Sequence, residues 1–199
     1  MSKNSQFGRS MIEMLGVLAI IAVLTTGGIA GYSKAMEKFK VNKTISEYNT
    51  LMFGFFQHID DIRKTNVDKE DYNSLFVALD MVPKSWTLEG QYFVDDMGNY
   101  IRIYPTYIEI MFNYLGKSGG FKKNSFCHNL FELAKGYQNE LRVAYVWRAD
   151  KQTDIAYYGN RHCGGNEPCI KDMTFNDIDK QCQICNMLDR NTCSLVLGF

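Results

Sequence analysis

Residues 9–30 read RSMIEMLGVLAIIAVLTTGGIA, an apolar run with no charge from Met14 to Ala30 and one carboxylate, Glu13, at its mouth. A secretory signal peptide would carry a small-residue cleavage site after such a run. No A-x-A pattern follows, and a helical pattern continues instead, so the segment is expected to stay on the chain. Further along, Val41, Ile45, Tyr48, Met52, Phe55, Ile59 and Ile62 recur at alternating steps of four and three, the spacing of one buried helix face. Lys40, Lys43, Glu47 and Asn49 lie off that stripe. Joined, the two segments predict one helix from Ser10 to Arg63, about 80 Å long at 1.5 Å per residue. No domain interior contains that length. The first half must lie in a bilayer or against copies of itself, while the second offers an apolar face for a globular domain to cover.

The chain has 199 residues, 46% of them hydrophobic and 14% aromatic, which is enough for one membrane helix and a single globular domain of ordinary size. Lys+Arg and Asp+Glu are equal at 22 each, so no global basic field argues for nucleic acid. The expected division is residues 1–8 as a leader, 9–31 as the membrane half of the helix, 32–63 as its amphipathic half and 64–199 as the globular domain.

Three features of the N-terminus go together: Gly8 as the residue before a cut, Glu13 as the fifth residue of a chain starting at Arg9, and the aliphatic stretch from Leu15 to Leu24. With the short leader and its single Lys3, they resemble the class III leader of type IV pilins and of the pseudopilins of type II secretion. The family usually has a bulky apolar residue where Arg9 stands. The resemblance implies a prepilin peptidase cutting after Gly8, N-methylation of the new first residue, an inner-membrane assembly platform and a homo-oligomeric filament. It also implies a role for Glu13, which in the family pairs with the terminal amine of an adjacent subunit and sets the filament's axial register. The charges suit that role, since an α-amino group of pKa roughly 7.7–8 is largely cationic at neutral pH and an acidic residue central in a lipid-embedded helix costs on the order of 3 kcal/mol. The plainer reading of Glu13 is a residue at the membrane interface.

Gly27, Gly28 and Gly31, preceded by Thr25 and Thr26, weaken the helix by about 1 kcal/mol each relative to Ala. They permit either close helix packing or local unwinding when the helix leaves the membrane for a fibre core. The orientation signals conflict. Lys34, Lys38, Lys40 and Lys43 follow the apolar run and only Lys3 and Arg9 precede it, which by the positive-inside rule puts the domain in the cytoplasm. The six cysteines, at 127, 163, 169, 182, 185 and 193, are even in number and concentrated late in the chain, as in a disulfide framework of an oxidising compartment. The leader also predicts export, so the expected state before assembly is a single-pass inner-membrane protein with a periplasmic domain. After assembly it would be a cell-surface pilus or a periplasmic pseudopilus.

Sequence leaves fifteen connectivities open. The pairing favoured is Cys127 with Cys182, Cys163 with Cys169, and Cys185 with Cys193. The last two close short loops, and Gly164-Gly165-Asn166 suits a hairpin tip. The competing use of these residues is zinc, with His162, Cys163, Cys169, Cys182 and Cys185 as candidate ligands, although Cys163-x5-Cys169 is an uncommon half-site. No cofactor and no metal are expected. Gly116-Lys117-Ser118 ends like a phosphate-binding loop, but Met111 stands where the first Gly is required, leaving a surface turn. His58 lies beside the helix stripe, and His128 and His162 each adjoin a cysteine without forming a nucleophile dyad. Asp95, Asp96 and Asn99 read as a solvated turn rather than a calcium loop.

In the globular part, residues 91–94 and 100–104 are β-rich and flank the turn residues Asp95 to Asn99. Residues 106–114 continue the alternation. Helices are predicted over 125–138 and 176–185, and strands over 141–147, 154–158 and 192–199. The fold class is therefore α+β, a long N-terminal helix against an antiparallel sheet. A helix bearing Cys127 after a strand region, then a Cys-rich end, resembles the type IVb pilin subclass. The implied function is non-enzymatic, a pilus subunit for adhesion, motility or surface contact. The alternatives are a pseudopilin of a secretion or DNA-uptake machine, or a membrane-tethered periplasmic enzyme or metal-binding domain.

Overall fold

The computed structural model describes residues 11–65, 72–114, 117–118, 124–148, 155–185 and 193–199. Helix α1 runs unbroken over Met11–Lys64. It belongs to two compact units, one up to Lys40 and the other Val41–Phe199, so the globular unit takes in α1 from Val41 onward.

The expected stripe is the face by which α1 enters the core. Val41, Tyr48, Met52, Phe55 and Ile62 are buried, and Ile45 and Ile59 pack at its edge. Thr44 and Leu51 are buried as well, widening the stripe by one position on its flank. The widening is physical: a helix seated on a sheet needs an apolar or neutral stripe broader than a single row.

The sheet has seven strands, all antiparallel, in the order β1-β2-β3-β4-β9-β7-β8. Strand β1 is Thr87–Glu89, β2 Tyr92–Val94, β3 Tyr100–Tyr104, β4 Tyr107–Met111, β7 Val143–Arg148, β8 Tyr157–Tyr158 and β9 Cys193–Gly198. A separate two-stranded ribbon pairs β5, Asn113–Tyr114, with β6, Lys117–Ser118. Lys117 and Ser118 thus lie in a strand rather than in the expected turn, and Gly116 is outside the described residues. Strand β9 is buried at all six positions because it is inserted between β4 and β7 and covered on both edges.

Alternation along the strands sorts the two faces. Ile101, Ile103, Ile108, Ile110, Leu195 and Leu197 face inward and join one core with α1 and with α3, Asn124–Gly136, whose Phe126, Leu130, Phe131 and Ala134 are all buried. Phe55 is the hub. Its ring lies 4.6 Å from Phe199 and 6.2 Å from Phe76 between centroids.

Two helices stop and start by local chemistry. Helix α2, Tyr72–Ala78, was not legible as periodicity, and ends with Asp80 in the left-handed region at φ 52°. The Asp80 N–H donates to Val77 and the Met81 N–H to Phe76, closing a Schellman motif with Phe76 and Met81 both buried. Asp replaces the usual Gly there, so the stop signal is faint in the sequence. Helix α4, Phe175–Ile184, begins with a capping box: the Thr174 hydroxyl accepts from the Asp177 N–H and the Asp177 carboxylate accepts from the Thr174 N–H. The Thr174 hydroxyl also donates to the Asp177 carboxylate at 2.7 Å, and that bond first, then the one from the Thr174 N–H, holds the Asp177 carboxyl below its ordinary range.

Because Phe55 is fully buried among aromatic neighbours, Phe55→Ala should lower the stability of the full chain by about 3–5 kcal/mol. Urea unfolding in detergent, followed by near-ultraviolet circular dichroism, checks this.

Candidate assembly site

The stretch of α1 before Val41 has the sequence chemistry of a membrane span, with a mean hydropathy of 2.1 over its most apolar window, none of it buried. Its apolar side chains are exposed on every side, from Met11 and Ile12 through Leu15, Leu18 and Ile21 to Leu24. A helix apolar all round is a helix for lipid or for the centre of a bundle. Glu13 lies in its first turn. A carboxylate there sits close to the helix's positive end, a favourable location for a negative charge. Gly8 and Arg9, the expected cleavage residues, lie outside the described residues.

The helix continues unbroken through Thr25–Gly31. Thr25 donates to the Ile21 carbonyl at 2.7 Å and Thr26 to the Ala22 carbonyl at 3.0 Å, so both hydroxyls are satisfied without water. A Cβ added at Gly16, Gly27, Gly28 or Gly31 would meet nothing within 4 Å. Packing among the described residues therefore does not demand glycine at these positions.

At the other end, a polar seam clamps α1 to the globular unit. Lys43 bridges Glu47, at 3.4 Å, and Asp96. Glu47 accepts from the Ser85 hydroxyl at 2.8 Å and the Trp86 indole N–H at 3.1 Å. The Tyr48 hydroxyl donates to Asp95 at 2.9 Å. Burial first, then the facing Asp95 charge, pushes the Tyr48 phenol well above its ordinary value, so it stays a donor. Asp95 also accepts from the Met97 and Asn99 N–H groups and from the Asn99 amide, closing the β2–β3 turn in which Gly98 takes a φ of 81°. Burial raises the Asp95 carboxyl above its usual value, with the donors on Asn99, Tyr48 and Met97 pulling the other way.

The expected solvated turn is therefore corrected for Asp95, which is only 5% exposed, and for Asn99, which is fully buried, while Asp96 is exposed as expected. A buried carboxylate needs its donors, and the turn supplies them. Glu47, off the stripe as expected, is partly buried because it accepts from Ser85 and Trp86. A signal for Asp95 was present in Asp95-Asp96-Met97-Gly98-Asn99, where an Asp at the head of a turn accepts backbone N–H groups two residues on. Nothing in the sequence joined it to Tyr48.

Cys127 is joined to Cys182, Cys163 to Cys169 and Cys185 to Cys193, the same three pairs favoured from the sequence, with Cα separations of 5.8, 5.0 and 5.7 Å. The first links α3 to α4, and the third links the end of α4 to the start of β9. All six sulfurs are thereby taken, which removes the cysteines of the zinc alternative as thiolate ligands. Among the described residues no group of three or more His, Cys, Asp or Glu converges on a metal position. His128 instead meets Asp179 at 3.2 Å across the α3–α4 contact and stacks on Phe175.

No protein-family model and no curated protein matches this chain.

Tyr48→Phe takes one donor from a buried carboxylate and should lower stability by about 1–3 kcal/mol. A change below half that value in denaturant unfolding would show that the Asn99 and Met97 donors suffice. Replacing Cys127 and Cys182 together by Ser should cost about 2–5 kcal/mol, because the two are 55 residues apart and their link restricts a long loop of the unfolded chain.

Proposed function

We propose that the protein is a structural subunit of a type IV pilus-like filament, made as a precursor cut after Gly8 and assembled through the first half of α1. Its role is architectural and not enzymatic. The observation that carries the reading is a single helix in two chemical states. From Val41 on, one face is buried by the chain's own core, while from Met14 to Leu24 the helix is apolar on every side and covered by none of the described residues. The carboxylate of Glu13 at the mouth of that apolar stretch is in keeping with a charge that sets register. In a filament, Glu13 would meet the cationic α-amino group of a neighbour's Arg9, offsetting the cost of an acidic group near lipid, which reaches roughly 3 kcal/mol at the centre of a membrane helix. Glycines at 16, 27, 28 and 31 that packing among the described residues does not require are in keeping with close approach by helices of other copies. The disulfide-linked globular unit is suited to an oxidising compartment.

Glu13→Ala in the native host should abolish filaments seen by electron microscopy while leaving the protein membrane-inserted and its N-terminus processed to Arg9. Filaments at normal abundance in that variant, or a mature chain that still begins at Met1, would overturn the proposal in favour of a tethered domain.

A further inference from the structure

The outer face of the sheet, away from the core, carries a cleft of about 500 Å³. Cross-strand register builds it. One row across the face sets Arg102 opposite Glu109, Glu109 opposite Val196 and Val196 opposite Tyr145; the next sets Tyr107 opposite Gly198 and Gly198 opposite Val143. Val196 and Gly198 are buried and form the floor. Gly198 keeps it open, since a Cβ there would come within 2.8 Å of Val143 Cγ1. Tyr107 stands on one side, Tyr145 and Trp147 on the other, and Trp147 is 36% exposed although it sits in a strand.

The polar groups in the cleft are held in place. Glu109 accepts from the Ser194 hydroxyl at 2.8 Å and meets Arg102 at 3.6 Å. Arg102 also donates to the Tyr92 hydroxyl at 2.6 Å and lies over the Tyr92 ring, 5.0 Å from its centroid. An oriented carboxylate beside an oriented guanidinium supplies acceptor and donor side by side, and each carboxylate oxygen retains lone-pair capacity.

We infer that this cleft binds a short neutral oligosaccharide. Its chemistry fits a pyranose ring on two counts. The aromatic side chains on both sides offer apolar area against which the ring's C–H surface can pack, and the Glu109–Arg102 pair matches neighbouring hydroxyls, which both donate and accept. The volume is within the about 300–1,000 Å³ of small-molecule sites. A nucleobase would also stack on these rings, but each nucleotide brings a phosphate that needs a cation. Here Arg102 is already engaged by Glu109, which leaves Arg142 at the rim, and the chain's formal net charge is zero. A second copy of the chain would have to bury the fixed Glu109–Arg102 pair away from water, at a cost. The inference goes beyond the filament reading and does not depend on it, because every residue involved belongs to the globular unit.

The chain has two tryptophans, and Trp86 is buried in the core, so a ligand in the cleft reports through Trp147. The full chain, in a detergent without a sugar headgroup, is titrated with maltotriose, cellotriose and triacetylchitotriose while tryptophan emission is followed. At least one should give a saturable change with a Kd of about 1 mM or tighter. Tyr107→Ala should weaken that binding about tenfold, and Trp147→Phe, which lacks the fluorescent reporter and is titrated by NMR of the sugar protons instead, should retain it within about threefold. Saturation-transfer NMR on the unmodified chain should show contact to the C–H protons of the same sugar, independently of whether a variant folds. No saturable response to any of the three sugars overturns the inference. So does binding that Tyr107→Ala leaves unchanged, or a saturable response to a single-stranded oligothymidylate in their place.

Discussion

A continuous helix must satisfy two environments that share no residues, and most of the structure follows from that constraint. From Val41 to Ile62 the apolar face of α1 is completed by its own domain, in a core where Phe55, Leu51 and Tyr48 are almost wholly removed from water. Each such side chain contributes about 1.5–3 kcal/mol of burial. From Met14 to Leu24 the same backbone carries apolar side chains over its whole circumference, so no single domain face could cover it. The internal hydrogen bonds of Thr25 and Thr26 make the boundary region tolerable in a medium without water.

The domain holds its share of the helix by two different means. Apolar packing supplies most of the free energy and is indifferent to small rotations of the helix. The polar seam of Lys43, Glu47 and Tyr48 against Ser85, Trp86, Asp95 and Asp96 is directional, and sets the angle at which the stripe meets the sheet. On the other side of the same sheet, identical alternation produces a surface of aromatic and charged residues. Gly198 turns that surface from a flat one into a cleft.

Closure of the sheet depends on a late strand. Strand β9 lies inside the sheet, between β4 and β7, and its partners lie about 85 and 50 residues earlier in the chain. Pairings of that separation form against a large loop-closure entropy. Two of the three disulfides act along the route to it, Cys127–Cys182 holding α4 to α3 and Cys185–Cys193 delivering the first residue of β9 from the end of α4.

Periodicity makes the long helix, the β2–β3 hairpin, α3, α4 and the α+β class readable from sequence, because each depends on residues within a few positions of one another. Helix α2 escaped because an Asp in place of Gly marks its end, and strand β1 because it is three residues long and fully exposed. The cysteine pairing was narrowed by short spacing but left open, since chain proximity constrains only small loops. Three features depend on residues brought together from distant parts of the chain: the place of β9 between β4 and β7, the bond from Tyr48 to Asp95, and the meeting of Tyr107, Glu109, Tyr145 and Trp147 around one cleft. Sequence spacing carries no information about such encounters. Strand order and register create them, and those are decided when the whole core packs at once.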